Sequence, residues 1–72
     1  MFSFGQKYYI SVQTMYDYKE NKVSYIKEIN DKTHTYIVTS NRQQAKAFKF
    51  SKANELVVEL RKKNKGISFR VC

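Results

Sequence analysis

Seventy-two residues carrying fourteen Lys and Arg against six Asp and Glu give a formal net charge of +8. A chain of that length makes one small domain, residues 1–72, with a thin core and little room for a deep catalytic cleft. Hydrophobic residues at 42% and aromatics at 15% exclude a disordered basic tail, and a lone Cys, Cys72, excludes an internal disulfide framework.

The elements follow in chain order. Lys7 to Met15 alternates, with Tyr8, Ile10, Val12 and Thr14 on one face and Tyr9, Ser11, Gln13 and Met15 on the other, which predicts a strand. Asp17 to Lys22 is polar and reads as a hairpin connection. Val23 to Ile29 predicts a second strand with Val23, Tyr25 and Ile29 on a common face. Asn30-Asp31-Lys32 is a turn, and the β-branched run Thr33 to Thr39 a third strand. Three strands with short connections argue for an antiparallel meander. Ser40 or Asn41 then caps a short helical turn through Gln44, with Ala45 and Phe48 facing inward. Ser51 is the expected N-cap of a longer helix, whose Ala53, Leu56, Val57 and Leu60 follow the i, i+3, i+4, i+7 rule. Gly66 supplies its left-handed stop. Ile67, Phe69 and Val71 form the inward face of a last strand. The expected fold is α+β, ordered β-β-β-short α-α-β: a three-to-four-stranded, mostly antiparallel sheet covered by one helix.

Charge is unevenly spread. Residues 1–40 hold five Lys and four acids, for +1, whereas residues 41–72 hold nine Lys and Arg and two acids, for +7. Arg42, Lys46, Lys49 and Lys52 flank the short helix and the start of the long one. Arg61, Lys62, Lys63 and Lys65 close the long helix, and Arg70 sits on the outer face of the last strand. Phe48 and Phe50 interleave with the first group. Clustered cations bind phosphate backbones by releasing counterions, and aromatic platforms stack bases. These nine residues are therefore the candidates for an anionic partner: nucleic acid, an acidic protein surface or a phosphorylated ligand. Tyr8, Tyr9, Tyr16, Tyr18, Tyr25 and Tyr36 all lie in the first half. Outward tyrosines suit protein interfaces, so these six are candidates for contact with a protein or with a second copy in a homodimer.

Catalytic signals are weak. His34, the only histidine, lies between two threonines and reads as an exposed strand residue without a nucleophile or carboxylate beside it. Cysteine–histidine zinc spacing, a glycine-rich phosphate loop and a nucleophile elbow are all missing from the sequence. A non-enzymatic protein without a cofactor is the expectation. Lys65 to Val71 partly matches an RNA-recognition signature at Lys65, Gly66 and Phe69, a pattern that a helix C-cap followed by a strand explains equally. Met1 to Gly5 lacks the start of a signal peptide, and the longest aliphatic run, Leu56-Val57-Val58, is far short of a membrane span. With one free thiol, these features predict a cytoplasmic protein and no membrane partner.

The run from Tyr36 to Phe48 (YIVTSNRQQAKAF), followed by Ser51 to Val57 (SKANELV), resembles small accessory proteins of phages and prophages of Gram-positive bacteria, over roughly residues 33–71. The resemblance implies a strand, an alanine–phenylalanine turn, a helix and a final strand, with Ala45 and Phe48 as structural anchors. It further implies a phage-encoded protein acting in the host cytoplasm, which binds and disables a host or anti-phage defence protein without catalysis (an anti-CRISPR-like or other anti-defence inhibitor). It carries over no functional residue. The residues themselves leave two alternatives: a basic nucleic-acid-binding module, and an oligomer that sequesters an anionic nucleotide.

Overall fold

A computed structural model describes residues 7–72. In chain order its elements are β1 (Ile10–Gln13), α1 (Met15–Lys19), β2 (Ser24–Ile29), β3 (Tyr36–Thr39), a 3-10 turn (Arg42–Gln44), α2 (Phe50–Lys63) and β4 (Ser68–Val71). The four strands form one antiparallel sheet in the order β3-β2-β1-β4, so the first strand is central and the last strand pairs with it. This is the small α+β fold expected, with β1, β2 and β3 as the meander and α2 as its main helix. Among the described residues, no helix is long and apolar enough to cross a membrane.

The core is the layer between α2 and one sheet face. Ala53, Leu56, Val57 and Leu60, the stripe read from the sequence, are buried against Ile10 and Val12 of β1, Ile26 of β2 and Phe69 of β4, with Phe48 closing one end. Tyr8, Ile29, Tyr36, Ile67 and Val71 pack around this cluster. Each large aliphatic or aromatic side chain so buried contributes about 1.5–3 kcal/mol relative to exposure. Gly66 adopts φ +91°, the left-handed stop expected after the helix.

Local chemistry moves several expected boundaries. The first strand ends at Gln13 because Thr14 caps a helix: its Oγ1 accepts from the Asp17 amide at 3.0 Å, and Asp17 Oδ2 accepts from the Thr14 amide at 3.1 Å. This reciprocal capping box turns the start of the expected Asp17–Lys22 connection into the helical turn α1. In β2 the register shifts between Ile26 and Glu28, a bulge that changes which way the following side chains point. Val23, Tyr25 and Ile29 therefore do not share a face. Ile26 and Ile29 lie against the core, Tyr25 points away from it, and Val23 is exposed before the strand begins.

The β2–β3 turn is longer than expected. Asn30 Oδ1 accepts from the amides of Lys32 and Thr33, and the Asn30 amide bonds Thr35. His34 is thereby placed at φ +61°. It belongs to the turn rather than to a strand, is only half-buried, and its Nδ1 has no hydrogen-bond partner. Asn41 caps the 3-10 turn as expected, through its Oδ1 on the Gln43 amide. Ser51 does not cap α2: Lys49 holds that position, without a side-chain bond. The helix starts earlier because the chain reaches it from a bridge between Phe48 and Tyr8 and a bond from the Lys46 amide to the Ile26 carbonyl. That segment takes up backbone groups of Tyr8, just before β1, and of Ile26 within β2.

The outer edge of β4 is guarded. Tyr9 and Cys72 exchange both backbone hydrogen bonds, so alternation turns the Phe69 carbonyl away from β1. Arg61 Nη2 donates to that carbonyl at 2.9 Å and places a cation where another strand would pair.

Two substitutions test this packing by urea unfolding followed by circular dichroism. Phe69→Ala is expected to cost about 3–5 kcal/mol, enough to abolish the folded baseline of so small a domain. Gly66→Ala meets no atom within 4 Å, so its cost of about 1 kcal/mol comes from the left-handed backbone alone.

Candidate functional site

Strand alternation gives the sheet a second face, turned away from α2. Registered pairing sets Arg70, Ser11, Tyr25 and Thr39 side by side in one row across β4, β1, β2 and β3. Tyr9 lies two residues from Ser11 on the same side of β1. Adjacent strands sit about 4.8 Å apart, so the row presents groups at regular intervals. Ile37, 57% exposed, and Glu28 opposite it extend the face toward the β3 edge.

Arg42 completes this arrangement from outside the sheet. The 3-10 turn that follows β3 carries it back over the strands, and its guanidinium carbon lies 5.0 Å from the Tyr9 ring centre and 6.0 Å from that of Tyr25. Such cation–π contacts contribute about 0.5–1 kcal/mol each at exposed sites and fix the guanidinium over the face. The turn is itself held by the Asn41 cap and by Thr39 Oγ1 donating to Gln44 Oε1 at 3.2 Å. Among the described residues, neither Arg42 nor Arg70 has a carboxylate within salt-bridge distance.

The nine cations read from the sequence do not form one flank. Arg42 and Arg70 join the tyrosine face. Lys52 is paired with Asp31 at 3.8 Å and Glu55 at 3.7 Å, and Lys62 with Glu59 at 3.7 Å. Lys63 Nζ donates to the Thr33 carbonyl at 3.0 Å, bracing α2 against the β2–β3 turn. Arg61 guards the β4 edge. Lys46, Lys49 and Lys65 are exposed at separate places: beside β2, at the start of α2 and after its end.

The tyrosines divide in the same way. Tyr9 and Tyr25 lie on the face just described, half-buried. Tyr16 and Tyr18 project from α1, 68% and 73% exposed. Tyr8 and Tyr36 belong to the helix side instead. Tyr8 packs on Phe50 with ring centres 5.1 Å apart, and Tyr36 meets Phe69 edge-on at 5.7 Å. Their alternation phase places them with Ile10 and Ile29, which face the core. Of the two phenylalanines interleaved in sequence with the cations, Phe48 is buried, as its expected inward position requires, and Phe50 is exposed.

Sequence reasoning did not single out Gln13, Met15 or Ser68, which line a groove beside α1 together with Tyr18, Arg61 and Arg70. The signal for the α1 wall was present in the Thr14-x-x-Asp17 capping box. Among the described residues, no group of His, Cys, Asp and Glu side chains is placed to hold a metal ion. Comparison with known proteins adds no relative: no family model, curated protein or solved structure matches the chain.

Tyr36 offers a check on the helix side. Burial holds its hydroxyl above the ordinary tyrosine value near 10 by disfavouring the phenolate. Because the folded value is raised, the stability it contributes is complete below pH 10 and is lost as the pH rises through the folded value. Tyr36→Phe is therefore expected to lose less stability than the wild type as the pH is raised above about 10 in urea titrations. An equal loss would place the hydroxyl in solvent.

Proposed function

We propose that the protein is a non-catalytic binding module that takes single-stranded nucleic acid on the sheet face opposite α2. The observation that carries this reading is Arg42 held over Tyr9 and Tyr25, with Arg70 in register on the neighbouring strands. Bases stack on aromatic rings and on guanidinium planes, while the remaining guanidinium donors meet phosphate oxygens. A sheet is suited to this task because its pleat holds the platforms at a fixed spacing with little entropy left to lose. The net charge of +8 adds long-range attraction that does not depend on sequence.

The test is fluorescence anisotropy with a labelled oligothymidylate across a salt series. Affinity should fall steeply with salt, and Arg42→Ala and Arg70→Ala should each reduce the log–log slope by about 0.7. Tyr9→Ala or Tyr25→Ala should weaken binding by about 1–3 kcal/mol while leaving the slope unchanged. Affinity independent of salt, or a Tyr9→Ala protein that binds like the wild type, would overturn the proposal.

A second reading is favoured by α1. Met15, Tyr16 and Tyr18 are 75%, 68% and 73% exposed on one five-residue helix, an aromatic knob of the composition that dominates protein interfaces. This suits the phage-type accessory role, in which the knob docks on a host or defence protein. Under that role Tyr16→Ala and Tyr18→Ala abolish capture of the target, whereas Tyr9→Ala does not.

A further inference from the structure

The groove beside α1 has a volume of about 600 Å³, within the range of small-molecule sites. One wall is α1, which contributes Met15 and the Tyr18 ring. The floor is the paired end of β1 and β4, at Gln13 and Ser68. Arg61 and Arg70 both contribute to its lining. The two arginines come from different elements, α2 and β4, and the acids of the C-terminal half, Glu55 and Glu59, are paired with Lys52 and Lys62. Asp17, the acid of α1, is committed to the Thr14 amide. Neither guanidinium has a carboxylate within salt-bridge distance among the described residues.

Arg61 is also oriented in advance. Its Nη2 donates to the Phe69 carbonyl at 2.9 Å. That single bond tethers the guanidinium at the β4 edge and leaves most of its five donors unspent beside the groove. A planar, oriented guanidinium next to a second one is the arrangement that binds a phosphate by several charge-assisted hydrogen bonds. The opposite wall has different chemistry. Met15 and Tyr18 are exposed although apolar, and a flat aromatic ligand would cover both.

We infer that this groove binds a nucleoside phosphate, its phosphate between Arg61 and Arg70 and its base against Tyr18 and Met15. The site is separate from the Arg42–tyrosine platform and shares only Arg70 with it. A free mononucleotide and the phosphorylated end of a strand lying on the sheet face both supply this chemistry.

The experiment is titration of the ¹⁵N-labelled protein with adenosine monophosphate, adenosine and inorganic phosphate, followed by amide shifts. A second arm compares 5′-phosphorylated and unphosphorylated oligothymidylate by anisotropy. Adenosine monophosphate should shift the amides of Gln13, Tyr18 and Ser68 and bind about tenfold or more tightly than adenosine. Arg61→Gln and Tyr18→Ala should each weaken it by about tenfold, and Arg42→Ala should leave it unchanged. Tyr18→Ala alters an exposed side chain, so it stays informative if Arg61→Gln disturbs the β4 edge. A preference for the phosphorylated oligonucleotide that Arg61→Gln removes assigns the strand end as the source; equal binding of the two oligonucleotides assigns the free nucleotide. Absence of shifts around the groove with the mononucleotide, equal affinity for adenosine, or insensitivity to Tyr18→Ala overturns the inference. Salt-dependent oligonucleotide binding through Arg42 and Tyr9 would be unaffected by that failure.

Discussion

Everything in this molecule depends on the seating of the α2 stripe, Ala53, Leu56, Val57 and Leu60, on one face of a four-stranded sheet. A domain of 72 residues has only enough apolar surface for one such layer. Burying it draws every large aliphatic side chain of β1 and β4 to the same side. The other side of the sheet is left to residues that packing does not need. Tyr9, Ser11, Tyr25, Thr39 and Arg70 are there because alternation puts them opposite Ile10, Val12, Ile26 and Phe69. The face of the sheet turned away from α2 is thus a by-product of the core's parity.

The basic residues are similarly sorted by what the fold requires of them. Lys52, Lys62 and Lys63 are spent on Asp31, Glu55, Glu59 and the Thr33 carbonyl. Exposed pairs of this kind contribute little stability, but they hold long side chains near the protein surface and reduce their reach toward a ligand. Arg61 covers a strand edge. Arg42 and Arg70 stand on the sheet face, one placed by a capped turn and the other by strand register. Two arginines among tyrosines make a more selective surface than nine scattered cations, because guanidinium planes stack as well as attract. Under the proposed function, the net charge steers an anionic partner toward the protein, and these few groups decide where it settles.

Much of the fold was legible. The α2 stripe, the Gly66 stop, the Asn41 cap and the inward phase of Phe69 each follow from a period or a cap confined to a few residues. The errors arose where a local hydrogen bond competes with the pattern. Thr14 continues the alternation of β1 and also caps α1, and the cap prevails because Asp17 returns the bond. The β2 bulge at Lys27 inverts the phase between Tyr25 and Ile29. The Asn30 side chain organises a turn that takes His34 out of its expected strand.

From the sequence alone came the class of the fold, the helix with its buried stripe, the concentration of charge in residues 41–72 and the supply of tyrosine in residues 1–40. These properties depend on composition or on spacing within one element. Only the tertiary structure decided that Arg42 and Arg70 join Tyr9 and Tyr25, and that Tyr8 and Tyr36 do not. Periodicity states which side of its own strand a residue occupies, but not which strands are neighbours. The pairing of β1 with β4 brings residues some sixty positions apart into register, for example Ser11 with Arg70. That pairing is set by the burial of Ile10, Val12 and Phe69 under one helix, an energy that belongs to the assembled core and to no single segment.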